Sequence, residues 1–191
     1  MYHLFHFSPI FFTGIIRVFE IIIIIIYILK KEGHCRSVGC GISQLKTGLK
    51  YGLVWSFLFG IIVFSIFYIY ILFFKINLFN MIRMPIPDSL MNQIGNFFIG
   101  CMIGPFAEEI VFRGVIYGFF RKWGIIIACC LSTLIFVFLH LNAPVIPLTQ
   151  IVGGILFAVS YEHTKILYTP VTIHILGNSC MLFLSYLKVN L

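Results

Sequence analysis

Six acidic residues occur in the chain, and two of them, Glu108 and Glu109, are neighbours inside an apolar stretch. An ionised side chain at the centre of a bilayer costs about 2.5–3.5 kcal/mol on insertion scales. Two like charges side by side cost more, because each disfavours the ionisation of the other. Such a pair needs partners or a task. Arg113 lies four residues after Glu109, on the same helical face, with acid before base as a helix prefers. Glu108 is rotated by about 100° from Glu109 on a helix of 3.6 residues per turn. Arg113 is therefore expected to neutralise Glu109 and to leave Glu108 available. A buried acid–base knot that only joins helices is the plainer alternative. The functional reading outweighs it, since ionisable groups inside membranes mark reaction or ion paths.

Three more polar residues sit in apolar surroundings. His140 ends one such stretch, a turn after Phe136. By itself it reads as an interfacial or hydrogen-bonded histidine. His174 and Asn178 are four apart and share a helical face. By themselves they serve equally well as polar glue between helices. Taken together with Glu108, these side chains offer what peptide hydrolysis requires. That reaction needs a base for water, donors aimed at the developing oxyanion, and a proton for the leaving amine. Histidine moves protons near neutral pH. The serine and zinc routes lack their signatures, for the chain has no G-x-S-x-G and no H-E-x-x-H. Ser179 and Cys180 follow Asn178 without a nucleophile elbow. Glu108, His140 and His174 also make a two-histidine, one-carboxylate set of the type that suits zinc or iron. No i,i+4 histidine pair pre-forms half of such a site, and Arg113 brings positive charge close to Glu108. The expectation is no metal and no other cofactor, with zinc as the competing idea.

The elements that position these groups must be membrane helices. Of 191 residues, 61% are hydrophobic and 10% charged, against about 45–50% and 25% in soluble domains; the mean hydropathy is +1.08. A soluble enzyme, a secreted disulfide scaffold and a disordered regulator are excluded. The net charge of +7 is spread along the chain. It makes no nucleic-acid surface and instead reports orientation. Cys101, Cys129, Cys130 and Cys180 lie in apolar runs and behave as small hydrophobes. Cys35 and Cys40 lie in a basic loop and read as inert thiols.

The pattern predicts an all-α, polytopic transmembrane bundle of about six spans, near residues 10–29, 51–74, 94–120, 124–140, 148–161 and 170–187. A hydrated cavity is expected among the last four. Pro105 and the two acids should interrupt the third span, and Arg17 and Glu20 should pair within the first. Residues 30–50 form a polar loop, and Pro85 and Pro87 impose extended backbone on a second one, residues 75–93. Six spans place Lys30, Lys31, Arg36, Lys46, Lys50, Arg121, Lys122 and Lys165 on one side, against Lys75, Arg83 and Lys188 on the other. The positive-inside rule then makes the first group cytoplasmic. This topology carries a tension. His140 falls near one face and His174 near the other, so they meet at Glu108 only if the short fifth segment is re-entrant or strongly tilted, with Gly153-Gly154 and Pro170 as places to bend.

The order Glu108-Glu109-x-x-x-Arg113, Phe136-x-x-x-His140 and His174-x-x-x-Asn178 resembles the CAAX prenyl protease 2 family, also called the CPBP or Abi family, of glutamic-type intramembrane proteases. The likeness covers about residues 94–186, so that 1–93 reads as two N-terminal spans with polar loops and 94–191 as the catalytic core of one integral domain. The resemblance implies an intramembrane endopeptidase. Glu108 and His140 would activate water, and His174 and Asn178 would bind the oxyanion. Glu109 and Arg113 would support them. The implied partners are the lipid bilayer and a membrane-associated protein or peptide, of CAAX type or a bacterial peptide undergoing maturation, with no nucleic acid. The implied location is a bacterial plasma membrane. The alternative is a non-catalytic membrane protein acting in bacteriocin immunity or proton transfer.

Overall fold

The computed structural model describes residues 8–75, 84, 86–141 and 147–189. Arg83 and Pro85, which figured in the loop expectations, lie outside them. Six helices are described. Helix α1 (Pro9–Glu32) opens on a proline, whose missing N–H is one the first turn leaves unused, and closes on Gly33 in the left-handed region. Two short 3₁₀ turns, Cys35–Val38 and Ile42–Gln44, lead into α2 (Leu45–Phe74). Helix α3 covers residues 90–120, followed by α4 (Ile125–Phe138), α5 (Leu148–Thr164) and α6 (Tyr168–Val189).

Helix α2 starts six residues before the apolar run at Tyr51, and its two buried residues explain why. Gly48 and Gly52 are its close contacts with α6. A methyl group on either would come within about 2.5 Å of Tyr168 or Thr172, so the helix must already be formed at Gly48 for the two to pack.

Helix α3 corrects one expectation. Pro105 does not interrupt it. The helix widens into π-type turns over Asn96–Ile103 and Ile110–Tyr117, on either side of Gly104–Glu109. The N–H of Gly104 bonds Ile99, five residues back. In a wider turn of this kind Gly100 would look to residue 105, which is proline and has no N–H. The carbonyl of Gly100 is thereby left to another donor.

Among the described residues, three stretches are long and apolar enough to cross a membrane: Pro9–Glu32, Cys35–Phe74 and Tyr168–Leu187. Their outward faces carry large apolar side chains such as Phe12, Phe57, Phe73 and Phe183. Lipid is the solvent that makes such a surface stable. The fold is an all-α membrane helix bundle. Its core, around Ile110, Tyr117, Ala128, Ala158, Leu167 and Val171, lies where α3, α4, α5 and α6 meet.

The basic segments gather at one end. Leu167 N–H donates to the Gly39 carbonyl at 3.0 Å, Tyr168 Oη to that of Cys40 at 3.1 Å, and Tyr161 Oη to that of Val38 at 3.1 Å. Gly39 has φ +78, and a Cβ there would lie 2.4 Å from the Lys165 carbonyl. Only glycine fits that approach.

Candidate active site

At the centre of the bundle Glu109 and Arg113 are fully buried. Arg113 Nη1 lies 3.1 Å from Glu109 Oε2, as the i,i+4 spacing predicted. Nη2 donates to the carbonyl of Gly154 on α5 at 2.9 Å. The guanidinium also sits 5.3–5.8 Å from the ring centres of Phe112, Phe136 and Phe157. Weakly hydrated and planar, it suits such an apolar cage. Gly154 serves packing here and does not break the helix, since α5 runs unbroken through Gly153-Gly154. A Cβ on Gly154 would meet Thr133 at 2.8 Å.

Glu109 has a second partner, His174 on α6, whose Nδ1 lies 2.9 Å from Oε1. A carboxylate accepts, so Nδ1 carries the proton and Nε2 points the other way. Phe157 stacks on the imidazole at 4.5 Å. His140 is oriented in the same manner. Its Nδ1 is 2.7 Å from the carbonyl of Phe136, which only accepts, and the Phe136 ring lies 4.4 Å away. Both Nε2 atoms converge on Glu108 Oε2, each at 3.8 Å. That is too long for a hydrogen bond.

The two histidines thus meet although α5 is continuous. Helix α4 has 14 residues, a rise of about 21 Å. His140 lies just beyond its end, level with Glu108.

Glu108 is not unpartnered, contrary to the expectation that Arg113 would leave it free. Arg17 of α1 places Nη2 3.2 Å from Glu108 Oε1, and its Nη1 pairs with Glu20 at 2.8 Å. The Arg17–Glu20 pair was legible from its i,i+3 spacing. Nothing in that spacing shows that it faces an acid 91 positions later.

Asn178 lies on α6 one turn beyond His174. Its amide donates to Gly100 at 3.0 Å, the carbonyl that Pro105 cannot serve. Glu108, Glu109, Arg113, His140 and His174 come together from α3, the turn after α4 and α6, and Asn178 lies one turn further along α6. Phe136, Phe157 and Gly154 hold them in place.

A second cluster of charge lies at the basic end. Past the apolar part of α5, Glu162 accepts from Tyr117 Oη at 2.5 Å and from Arg121 Nη2 at 2.9 Å and Nε at 3.0 Å, and it pairs with Lys165. Burial would raise its carboxyl, but these donors together bring it down to about 2 from 4.5.

Residues 90–180 match the profile of the type II CAAX prenyl endopeptidases, Rce1-like. That segment is similar to this family. The Rce1-like segment contains all six predicted site residues, whereas Arg17 and Glu20 lie outside it. Two similar proteins are the membrane-embedded CAAX protease MroQ of Staphylococcus aureus (strain USA300), 37% identical over 99 residues, and the putative membrane peptidase YdiL of Bacillus subtilis (strain 168), 30% identical over 82. The first alignment covers 48% of this chain and 39% of that protein, the second 42% and 33%. The matched stretch is thus well under half the length of either relative. No solved structure matches the chain at a significant level. At family level, these likenesses are to membrane proteases.

Proposed function

We propose that the protein is a multi-pass endopeptidase of a bacterial plasma membrane that hydrolyses a peptide bond in a membrane-associated protein or peptide. One observation carries this reading: Glu108 Oε2 faces the Nε2 atoms of His140 and His174 at the same 3.8 Å. The span between them suits a water molecule. Glu108 takes a proton from that water as its oxygen attacks the carbonyl carbon of the scissile bond. The carbonyl π electrons move to oxygen. His174, with Glu109 as counter-ion at Nδ1, donates from a protonated Nε2 to this oxyanion. Asn178 adds the amide hydrogen that Gly100 does not use. As the carbon–nitrogen bond breaks, the proton on Glu108 passes to the leaving amine by way of Nε2 of His140. The products are a new carboxylate and a new amine, and no metal ion is assigned a part.

Six crossings follow from the same reading, with α3, α4 and α5 as the spans outside the three long apolar stretches. CAAX-type termini and bacterial peptides that mature by cleavage are the proposed substrate classes, because the site is buried among helices and a substrate must reach it from the bilayer.

The experiment is to incubate the purified full chain with a membrane protein fraction and to map new peptide termini, with Glu108→Ala as control. Termini made by the wild type and absent with the variant are expected. Identical termini from both, or none from either, would remove the proposal.

A further inference from the structure

The Rce1-like segment does not hold every side chain that touches Glu108. Arg17 approaches from α1, outside residues 90–180. We propose that Arg17 is a positioning residue for the reaction, pinning Glu108 Oε1 so that Oε2 stays turned to His140 and His174, with Glu20 holding Arg17 in place. This rests on the peptidase reading above.

The argument starts from the carboxylate. The last torsion of a glutamate is broad and roughly two-fold, so burial alone does not fix which way its oxygens point. An anchor on one oxygen fixes the other. Glu109 has such an anchor within its own helix, from Arg113. Glu108 has no cation on its own face of α3, and its anchor comes from a different helix. The fork of a guanidinium is rigid and can hold two acids at once. Here Nη2 takes Glu108 at 3.2 Å while Nη1 takes Glu20 at 2.8 Å. The charged and titratable groups around Glu108 are then Arg17 and Glu20 from α1, Glu109 and Arg113 from α3, His140 following α4 and His174 from α6.

The packing of α1 supports this role. An arginine within an apolar helix is retained at a cost unless it is partnered, and Arg17 is about 31% exposed, at the rim of the site. One turn earlier, Gly14 is buried, and a Cβ there would lie 2.7 Å from Ile99 of α3. Gly95 of α3 is covered in turn by Ile10 and Phe11. Two glycines therefore bring α1 close enough for Arg17 to reach across.

The test uses the full chain with two readouts. The first is thermal unfolding in detergent of Arg17→Gln, Glu108→Ala, which removes the acceptor, and the double variant. The shifts should fail to add, as they do for groups in contact. The second is cleavage of a farnesylated CAAX peptide carrying a fluorophore and quencher, in phosphatidylcholine–phosphatidylglycerol vesicles. Arg17→Gln should lower kcat about 100-fold with KM little changed, the scale expected when a reacting group is displaced by about 1 Å. Arg17→Lys should recover part of the loss. Glu20→Gln should cost about tenfold or less, with no further loss once Arg17 is gone. Lys30→Gln, on the same helix and away from the site, should match wild type. Additive melting shifts overturn the clamp whatever the peptide does. Coupled shifts with wild-type kcat in Arg17→Gln overturn the positioning role. Coupled shifts without cleavage by the wild type leave the clamp standing and break the peptidase reading.

Discussion

Two carboxylates in this molecule are each surrounded by several polar groups, and they differ in what is left over. Around Glu162, Tyr117, Arg121 and Lys165 supply four donor contacts, and the carboxyl is held at about 2. The lone pairs are satisfied, and the cluster ties α3 to α5 and to the turn before α6. Around Glu108 one oxygen is taken by Arg17, while the other faces two imidazole nitrogens at 3.8 Å with no direct bond. A saturated ion cluster joins helices. An unsaturated one, with its rings fixed from behind by Phe136 and Glu109, has capacity for a reacting molecule.

The contrast breaks most visibly through Glu108. Replacement by Gln keeps shape and removes the base, so cleavage should fall by about 10³-fold or more, the range of a lost general base. The melting temperature should stay near that of wild type, because Gln can still accept from Arg17. Full activity in the Gln variant would end the distinction between the two clusters.

Arg113→Ala should act on stability instead. It strands Glu109, fully buried, with only His174 beside it. Removing one partner of a buried pair costs about 3–5 kcal/mol. Abundance and thermal unfolding measure it. An Arg113 variant as stable as Glu108→Gln would show that Glu109 is not held as the structure implies.

The sequence made the Arg113–Glu109 pairing legible because a helix repeats every 3.6 residues and both members lie on one helix. The same logic exposed Arg17 with Glu20 and placed His174 with Asn178 on one face. It could not show Arg17 reaching Glu108, since that contact depends on how closely α1 and α3 approach, which two glycines decide. Nor could it show Asn178 serving Gly100. Pro105 reads as a break until the turns around it widen and leave a carbonyl to be filled from α6. The helical bundle was legible from composition, because lipid leaves the backbone few other ways to satisfy itself. Depth was not: His140 and His174 meet at Glu108 with α5 unbroken, and the short α4 ends just before His140.

Glu162 offers a smaller effect with a defined pH window. Its carboxyl is held at about 2 against 4.5. A carboxyl lowered by folding stabilises the protein above its unfolded value, and that contribution fades as pH falls from about 4.5 towards 2. The wild type should therefore lose thermal stability across this window more steeply than Glu162→Gln, while both cleave substrate alike at neutral pH. Equal acid slopes would mean that the saturated cluster contributes nothing.

The smallest effect is expected from chelation. Glu108 Oε2 and the Nε2 atoms of His140 and His174 are donors of the types that bind zinc, so the metal idea competes directly with a water held by the same three atoms. Two features of the site weigh against a dication. With metal–ligand bonds of about 2.0–2.1 Å, neighbouring donors of a tetrahedral site lie about 3.3–3.4 Å apart, whereas Glu108 Oε2 is 3.8 Å from each imidazole. The same carboxylate already carries the guanidinium of Arg17 on its other oxygen, with Arg113 behind Glu109. Another two positive charges there would meet both. Prolonged treatment with a chelator should leave the cleavage rate and the melting temperature unchanged, and metal analysis of active protein should find less than one ion per chain. Stoichiometric zinc that leaves together with activity, and restores it on return, would make His140 and His174 ligands and would place the difference between the two clusters in the metal rather than in the unfilled oxygen of Glu108.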